Sequence, residues 1–297
     1  MENGPTDGSP LAVPVDRLQL GDHACMAFTD VEARWQVLTA YTRTGLAQAE
    51  KVLLILAPGD LDDDVVARMD GSSDHVKEAH DSGQLTIERN TSMYLPDGSF
   101  DTERQLETYV TERDRASSDG WSGIRVAADM SWALQPGVDS EEIVNYEASL
   151  GPLFADRRFV AICWYDQRLF REHVVAATRA VHPIQVMERL DAIDVTRTQD
   201  GSRIAGSAEL STRGDFVDAL REALKQPDAR EPFHFELDLT DLCFMEAHCA
   251  WQLISFAAAL PERSKVTLRC GPLLELVLRG LGAATVPQLE LSVAEDL

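Results

Sequence analysis

The chain alternates short apolar runs with longer amphipathic stretches, and the rhythm changes near residue 190. Phe159 to Asp166 reads Phe-Val-Ala-Ile-Cys-Trp-Tyr-Asp, directly after the charged Asp156-Arg157-Arg158. A run that opens bare of polar groups, with β-branched and aromatic members, suits a strand covered on both faces, as in a parallel sheet. Side chains alternate across a strand, so Cys163 and Tyr165 share a face and Asp166 falls where the strand gives way to a helix. In open α/β sheets ligands bind just beyond that carboxyl edge. The simpler reading of the same residues makes Cys163 a small core hydrophobe and Asp166 a helix N-cap.

The same pattern predicts strands over 23–28, Val52–Leu56, Gln84–Glu88 and Ile124–Asp129, the last with an acidic tip. Between them, Thr29-Asp30 opens a helix through Gly45, and Asp60 to Asp64 opens a second, because carboxylates favour the positive end of the helix dipole. Amphipathic segments over Thr102–Arg115 and Ser140–Phe154 read as further helices. Arg168 to Arg179 continues as a helix that His182-Pro183 stops, since a proline disfavours helical geometry at the residue before it. Helices alternating with strands imply an α/β unit with a largely parallel sheet.

A second unit follows. Ile193–Thr198 and Ile204–Leu210 flank Asp200-Gly201, a strong turn pair, and form a hairpin. Then come a helix from Ser211 to Lys225, a strand Phe233–Leu239, a helix Glu246–Leu260, a strand Val266–Cys270 and a helix Leu273–Leu281. The expected organisation is a flexible tail over 1–14, poor in large apolar residues, an α/β domain over 15–190 and a smaller α/β domain over 191–297.

Charge narrows the functions. Fifty acidic against 27 basic residues give a formal net charge of −23, which repels phosphate backbones and anionic lipid surfaces. No apolar run reaches the roughly 20 residues of a membrane span, and the first fifteen residues lack a signal-peptide pattern, so a cytoplasmic protein is expected. The five cysteines are scattered without a Cys-x-x-Cys pair, which fits free thiols rather than a disulfide framework.

Gly21-Asp22-His23-Ala24-Cys25, Ser82-Gly83-Gln84-Leu85, Gly98-Ser99-Phe100-Asp101, Asp129-Met130-Ser131-Trp132-Ala133, Tyr146-Glu147 and Cys163-Trp164-Tyr165-Asp166 together resemble the MEDS sensory domain of methanogens and methylotrophs. The resemblance implies a ligand-responsive role on a distant relative of RecA-like ATPase folds, with its paired signatures present as His23/Cys25 and Cys163/Tyr165/Asp166. The second unit is similar to STAS domains of anti-sigma factor antagonists, through Phe235-Glu236-Leu237-Asp238-Leu239-Thr240 and the following Leu242-Cys243-Phe244-Met245-Glu246. That family carries a phosphate-accepting serine after the strand, whereas this chain has Glu246-Ala247-His248-Cys249, and Ala247 offers no hydroxyl.

His23, Cys25, Cys163 and Asp166 include the residue types that hold zinc or iron, so a metal ion is a candidate cofactor. With Asp129 and Tyr165 they make up the expected ligand pocket. A redox role would instead pair Cys25 with Cys163, through a thiolate stabilised by a neighbour such as His23. An ATPase is the enzyme alternative, since Asp129 resembles the metal-holding acid of RecA-type sheets, but the chain has no Gly-x-x-x-x-Gly-Lys-Ser/Thr and no Gly-Lys pair. Trp121-Ser122-Gly123 lacks the pattern of a nucleophile elbow. The expected function is therefore that of a non-enzymatic signalling regulator. Its first domain senses a small molecule, metal or redox state, and its second binds a regulatory protein through Glu246, Ala247 and His248. By the STAS resemblance that partner is an anti-sigma factor with a kinase-like ATP-binding fold. A scaffold for a larger signalling complex is the remaining alternative.

Overall fold

The computed structural model describes residues 11–71, 75–190, 192–198, 201–223 and 233–294. Two compact units divide the chain: Val15–Glu188 forms the first, and Arg189–Leu297, with Ala12–Pro14, the second. Part of the expected tail is ordered, because Leu11–Val13 forms a short strand, β1, in which Val13 is buried. The rest of that tail, 1–10, lies outside the described residues.

The first unit is a parallel sheet of β2 (His23–Phe28), β3 (Lys51–Leu56), β4 (Leu85–Arg89), β5 (Ile124–Asp129), β6 (Phe159–Asp166) and β7 (Ile184–Val186), in the order β7-β2-β6-β5-β3-β4. The apolar run that begins at Phe159 is central, as its composition predicts, and every residue of β6 but Asp166 is buried. Its helices are α1 (Val31–Ala47), α2 (Asp62–Asp70), α3 (His75–Ser82), α4 (Asn90–Tyr94), α5 (Thr102–Ser118), α6 (Ser140–Ser149), α7 (Gly151–Phe154) and α8 (Glu172–Val181). The expected single helix over 140–154 is therefore two, joined at Leu150, with Pro152 inside the first turn of the second. Side-chain caps set the starts: Asp30 accepts from the Glu32 and Ala33 amides at 2.8 and 3.2 Å, and Asp139 accepts from the Glu141 amide at 3.0 Å.

The connections diverge at the centre. From β2 the chain passes through α1 to β3, on the far side of β6 and β5, whereas from β6 it passes through α8 to β7, on the other side of β2. A buried ion pair of Arg125 and Glu50 lies at the amino-terminal ends of β5 and β3, with Gly45 packed against the Arg125 side chain.

The second unit is a mixed sheet. β8 (Ile193–Arg197) runs antiparallel to β9 (Gly201–Ala208), and β10 (His234–Asp238), β11 (Leu242–Met245), β12 (Lys265–Cys270) and β13 (Leu289–Val293) pair in parallel in the order β11-β9-β10-β12-β13. The expected hairpin is present, although Asp200 lies outside the described residues and β9 begins at Gly201, three positions before Ile204. Helices α9 (Arg213–Ala223), α10 (Ala247–Ala258) and α11 (Pro272–Gly280) accompany it. Strand β13 escapes the sequence pattern because, of its five residues, only Leu289 is buried. No helix among the described residues is long and apolar enough to cross a membrane.

Candidate functional site

Strand parity decides which candidate residues meet. In the parallel pairing of β2 with β6, Cys25 lies opposite Cys163, and in that of β5 with β6, Asp129 lies opposite Trp164. Cys25, Cys163 and Tyr165 therefore share one face of the sheet, together with His23 two positions before Cys25, and all but His23 belong to one core cluster. Asp129 and Asp166 fall on the other face.

The shared face carries a compact polar quartet of His23, Glu147, Cys163 and His182, whose ligand atoms all lie within 4.8 Å of one another. Glu147 projects from α6 and is the hub: its Oε2 is 3.2 Å from His23 Nε2, 3.4 Å from His182 Nε2 and 3.6 Å from Cys163 Sγ. Cys163 Sγ is 3.9 Å from His23 Nε2, and the Tyr165 hydroxyl donates to Glu147 Oε1 at 2.6 Å. All four members are buried, and His23 stacks on Phe154 with ring centroids 4.7 Å apart.

Burial governs the charges here. It pushes His23 below the usual imidazole range, with Glu147 opposing it, and pushes the Cys163 thiol up, reinforced by the Glu147 charge. Burial would also raise Glu147, but the two histidines outweigh it and hold the carboxyl well below its ordinary range. His182 Nδ1 faces the Thr178 carbonyl at 2.7 Å, so it carries the proton donated there, while Nε2 makes no hydrogen bond.

This arrangement has the donor chemistry of a metal site. Two imidazoles, a carboxylate and a thiol are zinc donors, and the Thr178 carbonyl and Tyr165 hydroxyl are outer partners of the kind that orient such ligands. Zinc bonds of about 2.0–2.3 Å in a tetrahedron set ligand-to-ligand edges of about 3.3–3.7 Å. Four of the six distances within the quartet, from 3.2 to 3.9 Å, fall around that span, and all six lie within 4.8 Å. The unpartnered His182 Nε2 is the group such an ion would satisfy.

The structure brings some of the expected positions together and not others. His23 and Cys163 converge, with Tyr165 in direct support. Cys25 is fully buried in the core beside Cys163 and shares its face, but is not one of the four grouped donors. Asp166 is excluded by strand parity; it takes two hydrogen bonds from the Arg168 guanidinium, at 2.8 and 2.5 Å, which hold its carboxyl below the usual range. Asp129, on the same face, caps the turn after β5 by accepting from the Ser131 amide at 2.8 Å. A Cys25–Cys163 redox pair is disfavoured, since burial raises both thiols.

Glu147 and His182 are the donors that sequence reasoning missed. Glu147 sits in the Tyr146-Glu147 pair, and its signal was a carboxylate on the apolar side of an amphipathic helix. His182 reads as the end of a helix before a proline, and nothing local marks it as a ligand.

In the second unit, Glu246 precedes α10 and pairs with Arg213 through both carboxylate oxygens, while Ala247 and His248 are exposed. Cys249, by contrast, is buried in the core of this unit, its thiol pushed up to about 11.

Among solved structures, the chain resembles the flagellar accessory protein FlaH from Methanocaldococcus jannaschii at 10% identity and a TM-score of 0.42, over 64% of this chain and 80% of that one. It also resembles the KaiC-like protein PH0186 from Pyrococcus horikoshii OT3 at 10% identity and a TM-score of 0.41, over 62% and 77%. No curated protein sequence matches it. The model of the methanogen/methylotroph, DcmR sensory domain matches residues 22–183, a span that holds all four members of the quartet. That span is more than half of the 297 residues, and the chain belongs to the MEDS family.

Proposed function

We propose that the first unit is a cytoplasmic sensory module whose signal is read at the quartet of His23, Glu147, Cys163 and His182, with a zinc-class metal ion as the bound species. The observation that carries this reading is the single carboxylate oxygen of Glu147 set 3.2–3.6 Å from two imidazole nitrogens and a thiol, one of the nitrogens lacking any hydrogen bond. A carboxylate and a thiolate would neutralise a divalent ion there, and Tyr165 would hold the carboxylate in place. Family membership supports sensing and signalling as the class of function.

The second unit, on this reading, relays the state of the first by binding a regulatory protein at the start of α10, around Glu246, Ala247 and His248. The STAS resemblance favours an anti-sigma factor with a kinase-like ATP-binding fold as that partner. No catalytic step is assigned, since the chain carries neither a phosphate loop nor a nucleophile elbow.

Elemental analysis of protein purified under reducing conditions, followed by zinc titration of the stripped chain, tests the reading. One equivalent of zinc, lost in a His182→Ala variant that stays folded, is the expected result. Full-length protein that neither retains nor takes up zinc, cobalt or iron would overturn the metal assignment.

A further inference from the structure

The quartet and the exit of the first unit are joined by one pair of neighbouring strands. His23 is the first residue of β2, and His182 stands two residues before β7. The two strands run parallel, with Ala24 opposite Ile184 and Cys25 opposite Gln185, and the His23 and His182 rings approach to 4.1 Å between centroids. One end of this strand pair is therefore held at the quartet.

The other end is held by a carboxylate. Two residues beyond β7, Glu188 turns its Oε1 into the loop that follows β2 and accepts from three donors there: the Thr29 amide, the Thr29 hydroxyl at 2.9 Å and the Asp30 amide at 3.1 Å. Hydrogen bonds to an ionised acceptor are roughly twice as strong as neutral ones, and three donors on one oxygen fix its position. Glu188 is the last residue of the first unit, and Arg189 opens the second.

We infer that β2 and β7 form a clamp fastened at both ends, in which Glu188 is a latch on the segment leading to the second unit and the quartet sets how firmly that latch closes. The inference rests on the proposed reading of the quartet and names how its occupancy is passed on. The direct pairing of β2 with β7 covers two residue pairs, and β7 itself is three residues long, so a shift of His182 reaches Glu188 through only five intervening residues, three of them the strand itself. An ion joining His23 to His182 draws the start of β7 toward β2 and favours the register in which Glu188 meets Thr29 and Asp30. Loss of the ion loosens that register and releases the latch. Linkage then requires the converse, that breaking the latch weakens the ion's binding by the same factor.

Hydrogen exchange of the full chain reads this directly, because the Thr29 and Asp30 amides are themselves latch donors. The wild type, Glu188→Ala, Thr29→Val and His182→Ala are each compared with and without zinc. In the metal-free chain, Glu188→Ala is expected to speed exchange at Thr29, Asp30 and the β7 amides by roughly tenfold, as loss of a charged acceptor implies. Thr29→Val, which keeps both backbone donors, should do so by less. His182→Ala is expected to speed exchange at Thr29 and Asp30 although it touches neither. Zinc should slow exchange at those two amides in the wild type, and Glu188→Ala should weaken zinc binding by the same factor.

Two outcomes overturn the clamp: Thr29 and Asp30 exchange unchanged by Glu188→Ala, or unchanged by His182→Ala in a chain that remains folded. If zinc does not bind at all, the metal reading falls while the variant arms still decide whether the two ends of β7 are coupled. If zinc binds tightly but leaves exchange at Thr29 and Asp30 as it was, the metal reading stands and the clamp fails.

Discussion

His182 Nε2 and Glu147 Oε2 lie 3.4 Å apart in a fully buried setting with no hydrogen bond between them, while the other ring nitrogen of His182 is committed to the Thr178 carbonyl. A buried ring nitrogen facing a carboxylate is costly unless a proton or a cation stands between them.

Tyr165→Phe separates the donors from their support. The variant keeps all four quartet members but removes the hydroxyl that donates to Glu147 Oε1 at 2.6 Å. Loss of such an outer partner lowers metal affinity by about 10- to 100-fold. Competition with a chromophoric zinc chelator measures this, and Cys163→Ser should cost more than Tyr165→Phe because it replaces a ligand itself. Equal effects would mean that Tyr165 is a ligand rather than a support.

The sheet was legible because the runs at Val52–Leu56, Ile124–Asp129 and Phe159–Asp166 are largely apolar, a pattern that suits a parallel strand covered on both faces. Half of the quartet was legible for a related reason: His23 and Cys163 stand on such strands, where parity alone puts them on one face. Glu147 and His182 were not, since each comes from a helix or its end and reaches the site through packing between α6 and α8, which no local pattern encodes. Asp166 misled because it ends the same motif as Cys163; three positions along a strand reverse the face, and its charge is spent on Arg168. In the second unit, β11 and β13 went unseen because they are short or mostly exposed.

Arg125 and Glu50 form a buried pair whose removal by halves should be severe. Both side chains are almost fully buried, so Arg125→Met leaves the Glu50 carboxylate without its partner, at a cost of about 3–5 kcal/mol. The Glu50→Leu/Arg125→Met double variant should recover much of that loss. Gly45→Ala tests the same corner, because an added Cβ would stand 2.6 Å from Arg125 Cδ and 3.0 Å from Val52 Cγ2. Overpacking of this kind costs about 1–3 kcal/mol. Urea unfolding midpoints read all three.

Thiol labelling should divide the five cysteines sharply. Cys243 is exposed, while Cys25, Cys163, Cys249 and Cys270 are buried, the last two with thiols pushed up to about 11 by burial and nearby carboxylates. The thiolate is the reactive form, so at pH 8 a disulfide reagent should consume one equivalent quickly in the native protein and the remaining four only on unfolding. Fast labelling of Cys163 in the native chain would contradict the closed quartet.

Glu246 decides whether the start of α10 carries a charge that a partner can read. Ala247 cannot accept phosphate, and a carboxylate beside it could stand in for one only if it were unneutralised. Arg213 prevents that, donating through Nε to one oxygen and through Nη2 to the other at 2.9 Å, a two-point grip that lowers the Glu246 pKa. Because the folded-state value is depressed, the pair's contribution is present above the usual glutamate range of about 4.3 and is lost as pH falls through the folded value. Near neutral pH the contact should therefore persist, and partner binding should not vary between pH 6 and 8 on its account. Arg213→Ala exposes the carboxylate and should change partner affinity more than Glu246→Gln, which leaves the region close to neutral. Calorimetric titration of both variants with a kinase-like anti-sigma factor, before and after incubation with ATP, measures this. Phosphate found at the start of α10, or identical affinities for Arg213→Ala and the wild type, would remove this surface as the point of control.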